Sequence, residues 1–138
     1  MIVGGNYLTP DAVGAAAYLP HREEKYLGKL LALGLEHQKV IAAQTPPHGY
    51  RSAVAYHAPT KTWITVGPNG TDISRDDGRN WTPLHPTKEE PTDADKNWNA
   101  LSLPFVVGPN GRIGKLRAGA LKPTALPTAA SNQEKKEH

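Results

Sequence analysis

Four carboxylates fall within the run Glu89-Glu90-Pro91-Thr92-Asp93-Ala94-Asp95, and carboxylate oxygens are the ligands a hard cation takes. The run lacks the spacing of a calcium loop and reads instead as a solvated stretch of charge. The histidines His21, His37, His48, His57, His85 and His138 never fall at the H-x-x-x-H spacing that brings two imidazoles to one metal. Val-Gly-Pro-Asn-Gly occurs twice, but neither copy is followed by the lysine and helix that would cradle phosphate. No serine stands in a nucleophile elbow. Cysteine is absent, which excludes disulfides, zinc thiolates and thiol catalysis. The chain therefore offers no catalytic residue, no cofactor-binding residue and no metal ligand, and no cofactor is expected.

Composition narrows the class further. A chain of 138 residues suits one domain with a sizeable core, and 13 Gly with 13 Pro at 38% hydrophobic content favours a turn-rich β protein over a helical bundle. The net charge of +3 comes from scattered Lys and Arg, with no interleaving of basic and aromatic residues, so nucleic acid is not an expected partner. No apolar run approaches the roughly 18–20 residues of a membrane span. Asn69-Gly70-Thr71 and Asn80-Trp81-Thr82 match the glycosylation pattern but are explained as turn residues.

The elements that must position any site are announced by Ser74-Arg75-Asp76-Asp77-Gly78-Arg79-Asn80-Trp81, which spells S-x-D-x-G-x-x-W. Asp-Asp-Gly is turn chemistry, with Gly78 free to take positive φ. Asp76 can accept backbone N–H groups across the turn, Ser74 can do so more weakly, and Trp81 anchors the return strand by burying its ring. A repeat surrounds this octet. Val66-Gly67-Pro68-Asn69-Gly70 recurs 41 residues later as Val107-Gly108-Pro109-Asn110-Gly111, each copy lying between strand-like runs. A period near 40 with short strands is the pattern of propeller blades. Ile2 to Gly5 and Gly14 to Tyr18 read as a degenerate third copy, and Val40 to Ala43 as a further strand. The best-formed unit runs from about Tyr50 to Leu84, with strands over Arg51 to His57 and Trp63 to Val66. At fixed offset, Lys115, Arg117, Gly119 and Lys122 fall opposite Ser74, Asp76, Gly78 and Trp81, so only the glycine of the octet survives there. Between His21 and Gln38 the pattern breaks, and Leu27, Leu30, Leu31 and Leu35 predict a short amphipathic helix near 22–36. His85 to Asn97 reads as a solvated loop, and 122–138 as a disordered tail.

The octet resembles the Asp box, or BNR repeat, of sialidase-like β-propellers. The sequence from Gly49 to Leu121, and more weakly from Ile2 to Tyr18, is similar to the last blades of the photosystem II stability/assembly-factor-like members. The resemblance implies an all-β fold: a partial β-propeller of about two to three antiparallel four-stranded blades over 1–121, with 21–38 an insertion or a sequence altered relative to the family. It implies a C-terminal fragment, whose start at Met1 runs into strand-like sequence with no signal-peptide pattern, although complete relatives can be exported. In that family the box residues, here Ser74, Asp76, Gly78 and Trp81, are structural and lie away from the catalytic centre. Inner strands line a central channel, which makes Tyr50 and Arg51 the candidates for channel-facing residues.

Two functions follow as expectations. One is a non-catalytic repeat segment acting as a binding or assembly scaffold for a protein or small-molecule ligand. The alternative is a fragment of a sialidase-class glycoside hydrolase. Such an enzyme needs an arginine cluster, a tyrosine nucleophile paired with an acid, and an acid/base aspartate. Arg51, Arg75, Arg79, Arg112 and Arg117 are present with Tyr50 and Tyr56, but nothing in their spacing marks a site. An open fragment would also leave strand edges unpaired and self-associate through them.

Overall fold

Short β-branched and apolar runs divided by Gly, Pro and Asp turns favour paired strands over helix. The computed structural model describes residues 1–19, 32 and 40–123, and there the chain is all-β apart from Ala32, which is α-helical, and two single-turn 3-10 helices, Ala58–Thr60 and Pro109–Gly111. The first sheet holds β1 (Ile2–Gly4), β2 (Ala15–Tyr18) and β3 (Ile41–Ala42) in that order. The second holds β4 (Ala53–His57), β5 (Thr62–Val66), β6 (Thr71–Ser74) and β7 (Thr82–Pro83). The third holds β8 (Ala100–Ser102), β9 (Phe105–Val107) and β10 (Ile113–Lys115). All pairings within the sheets are antiparallel between consecutive strands, and among the described residues the sheets do not close into a barrel or ring. Only the second sheet has the expected four strands. The helix expected near 22–36 and the tail expected from 122 lie outside the described residues, apart from Ala32, Lys122 and Pro123.

Successive sheets are joined in the same way. The Arg51 N–H, two residues before β4, donates to the Gly4 carbonyl at 3.1 Å. The Trp98 N–H, two residues before β8, donates to the Gly67 carbonyl at 3.3 Å. The preceding residues repeat the contact, Tyr50 to Pro10 at 2.9 Å and Asn97 to Pro68 at 3.0 Å. Within the second and third units, the segment entering the sheet passes too close to the turn glycine for a side chain there. A Cβ on Gly67 would stand 2.1 Å from the Tyr50 carbonyl oxygen, and one on Gly108 would stand 2.1 Å from that of Asn97. The recurring Val-Gly is thus a packing requirement in the second and third units, whereas a Cβ on Gly4 of the first would meet nothing within 4 Å.

The two Val-Gly-Pro-Asn-Gly turns are not alike. Val66 pairs with Thr71 across the first, whereas Val107 pairs with Ile113 across the second, which is one residue longer. Asn110 (φ 56°) and Gly111 (φ 74°) absorb the extra residue in left-handed conformation. The fixed offset therefore fails beyond the turn. By register Leu116, not Lys115, is the counterpart of Ser74, and the octet has no copy in the third sheet.

The second sheet is covered on both faces. Every residue of β6 is buried, although it includes an aspartate, two hydroxyl residues and one apolar residue. Alternation divides them. Ile73 joins Ile64 and Leu121 in the core cluster, with Leu101, Leu103 and Leu116 packed against it from the third sheet and its loops. Asp72 and Ser74 take the opposite face, where His48 and the octet lie.

Candidate functional site

A cleft of about 510 Å³ opens between the second and third sheets. Strand alternation lays its apolar floor: Ile64 and Val66 of β5 face Leu101 of β8 and Val106 of β9. Its rim comes from the segment between β7 and β8, and from Arg112 just before β10. That segment is the largely exposed loop the sequence predicts, but Asp95 within it is buried and part of it is tied down. Three arginine- or backbone-held contacts fold it onto the sheets. The Thr71 hydroxyl donates to the Asp95 carbonyl at 2.8 Å, Arg112 Nη1 donates to Asp93 Oδ2 at 2.9 Å, and Arg117 Nε donates to Glu90 Oε1 at 2.7 Å. Acids that look free in sequence meet basic residues supplied 19 and 27 residues later by the third unit. The Arg112 hydrogen bond and charge hold the Asp93 carboxyl below the ordinary carboxylate range. For Glu90 the Thr87 N–H acts first and Arg117 second, in the same direction.

Asp95 differs from these partners. It is 9% exposed, and its Oδ1 has no hydrogen-bond partner among the described residues. Its Oδ2 lies 3.5 Å from Nδ1 of the exposed His85 ring. Arg112 completes the wall: its guanidinium sits 4.4 Å over the ring of Trp98, whose indole N–H donates to the Ala94 carbonyl at 2.9 Å. The Arg112 Nε is a second buried polar atom without a partner among the described residues. The sequence signals for this site were weak. Trp98 is an aromatic just after a polar run, and Asp95 is the last acid of that run, but neither position reveals that the segment turns inward.

Arg51 does not project into a channel. It is 2% exposed and binds Asp72, itself 0% exposed, through both Nε (2.8 Å to Oδ2) and Nη2. Its Nη1 donates to the Tyr50 carbonyl at 2.9 Å and to Asn69 Oδ1 at 2.6 Å. His48 reaches the same carboxylate, with Nδ1 at 2.7 Å from Asp72 Oδ1 and its backbone N–H donating to Oδ2 at 3.2 Å. The network ties the segment entering β4 to the turn between β5 and β6. Tyr50 is half-buried and meets Tyr7 edge-on, with ring centroids 5.8 Å apart. An aspartate inside the strand-like run Thr71-Asp72-Ile73-Ser74 was the available sign of a buried partner, because Asp is a poor strand former.

The octet forms the turn its spacing predicts. The Ser74 hydroxyl donates to Asp76 Oδ1 at 2.9 Å and accepts the Gly78 N–H at 2.9 Å. Asp76 also accepts the Asn80 N–H at 2.9 Å and the Asn80 side-chain amide at 2.8 Å. Burial opposes ionisation of Asp76, but the Asn80 and Ser74 hydrogen bonds outweigh it and hold the carboxyl below its ordinary range. Asp77 (φ 58°) and Gly78 (φ 86°) make the left-handed corner. Trp81 is 0% exposed, its indole N–H on the Gly78 carbonyl at 3.2 Å. Around it the Gln44 N–H bonds the Arg79 carbonyl at 2.8 Å, and the Trp81 N–H bonds the Thr45 carbonyl at 3.0 Å, so the octet also holds the segment leaving the first sheet.

The remaining arginines are dispersed. Arg75 donates to the Leu121 carbonyl at 2.7 Å, and Arg79 lies 5.7 Å over the Tyr18 ring. Among the described residues no three His, Asp or Glu side chains gather as a metal set. No helix of the described residues is long and apolar enough to cross a membrane. Compared with known proteins, the chain matches no family model, no curated protein and no solved structure.

Proposed function

We propose that this chain is a non-catalytic segment of an Asp-box β-propeller that serves as a binding or assembly scaffold, with the cleft between its second and third sheets as the ligand-taking surface. The propeller part of this reading is supported by the recurring joint, Gly4 to Arg51 and Gly67 to Trp98, which relates each sheet to the next in one way. The observation that carries the function is the cleft itself. A volume of about 510 Å³ with an apolar floor and a few polar groups at its wall is the usual form of a small-ligand site. The glycosidase alternative draws less support. It requires arginines free to grip a substrate carboxylate, whereas Arg51, Arg112 and Arg117 each hold an acid of this chain.

A fragment screen by chemical-shift perturbation on the isotopically labelled chain tests the reading. Small apolar fragments should move the signals of the Trp98 indole, Leu101 and Leu103 together. A library that leaves these signals unmoved overturns the cleft as a binding surface. Incubation with a fluorogenic sialoside should give no turnover, and clear turnover would favour the glycosidase.

A further inference from the structure

Resting on the reading of the cleft as a ligand site, we infer that its ligand is an apolar primary amine, whose ammonium group is received by Asp95 while its hydrocarbon body lies on the floor. The carboxylates lining the cleft, Glu90, Asp93 and Asp95, are equalled in number by Arg112, Lys115 and Arg117, so it is the pairing of individual groups that argues for a cation at Asp95. Glu90 and Asp93 are each bound by an arginine, through Arg117 Nε at 2.7 Å and Arg112 Nη1 at 2.9 Å. Among the described residues Asp95 has no such partner: the basic group that comes within 4 Å is the His85 ring, 74% exposed and 3.5 Å from Oδ2, and nothing reaches Oδ1. A carboxylate 9% exposed is costly to leave unpaired, so a ligand that brings a positive charge gains what the chain leaves unsatisfied.

The other cations of the cleft do not answer Asp95. Arg112 is engaged twice by Asp93, at the carboxylate and at the carbonyl, and its plane covers Trp98. Lys115 stands on the exposed side of β10 with its ammonium 5.9 Å from the Phe105 ring. The free Arg112 Nε–H adds a donor without adding net charge, which suits an oxygen near the amine but does not by itself attract an acid. Ile64, Val66, Leu101 and Val106 supply the apolar surface that distinguishes such an amine from a simple ammonium ion.

Isothermal titration of the full chain with hexylamine, 1-hexanol and hexanoate at neutral pH tests the inference. Hexylamine should bind at least tenfold more tightly than 1-hexanol, and Asp95→Asn should abolish that difference while leaving 1-hexanol binding within about twofold. The wild-type ratio needs no variant and decides the matter if Asp95→Asn does not fold. Equal affinity for amine and alcohol, or tighter binding of hexanoate, overturns the amine and leaves an apolar site of another specificity. Failure of all three to bind overturns the amine and the cleft reading together.

Discussion

At the scale of single residues, the buried pair Arg51–Asp72 carries the largest electrostatic stake. Both side chains are out of water, and the carboxylate also holds His48, so removing one partner strands a charge. Asp72→Asn should cost on the order of 3–5 kcal/mol, and the double replacement Arg51→Met with Asp72→Asn should cost less than the sum of the single changes. Denaturant unfolding of the three variants checks this, and strict additivity would mean that the pair is not coupled. Asp76, Glu90 and Asp93 make the acid response predictable. Their native carboxyls are held below the ordinary range, by Asn80 and Ser74 against burial, by Thr87 and Arg117, and by Arg112. The folded state thus binds fewer protons than the unfolded one. The stability they lend is full above the unfolded value of about 4 and is lost as pH falls through the lower native values. The melting temperature should therefore fall below about pH 4, and Asp76→Asn should flatten part of that slope.

At the scale of elements, the hairpin between β6 and β7 is fixed by one ring and one carboxylate. Trp81 is fully buried and braces the segment leaving the first sheet, so Trp81→Ala should cost about 3–5 kcal/mol by thermal or chemical denaturation. A loss under about 1 kcal/mol would be the behaviour of a surface residue. This hairpin was legible in sequence because its signals are local: Gly78 at a positive φ, Asp76 four residues before the N–H it accepts, and Trp81 at the start of the return strand. β8 was not legible. Ala100-Leu101-Ser102 is too short and mixed to announce a strand, and it forms because Val107 and Val106 pair with it. The segment from His85 to Asn97 was legible as an exposed loop, but its contacts were not. Its charges suggest solvent, but the arginines that neutralise them come from the third sheet's side of the cleft.

At the scale of the whole molecule, the three sheets of the described residues follow one another through equivalent joints and do not close among themselves. Among the described residues β1 and β10 each pair on one side only, and Ile2 at 62% and Ile113 at 73% leave apolar side chains exposed on them. Unpaired edges of this kind are templates for further strands. Sedimentation velocity should show concentration-dependent association, and Ile2→Lys with Ile113→Lys should reduce it. A monodisperse monomer across a hundredfold range of concentration would contradict the prediction.

The sequence by itself determined the all-β class, the repeating Val-Gly turn and the octet hairpin, because each rests on backbone preferences and contacts within a few residues. It also carried the dispersal of the histidines and the absence of cysteine, which bound the chemistry. Tertiary structure alone decided that Arg51 turns inward to Asp72, that the second Val-Gly-Pro-Asn-Gly turn is a residue longer, and that Asp95 lies buried at a cleft wall. Those outcomes depend on which residues distant in sequence neutralise a charge or fill a face, and spacing along the chain does not encode that.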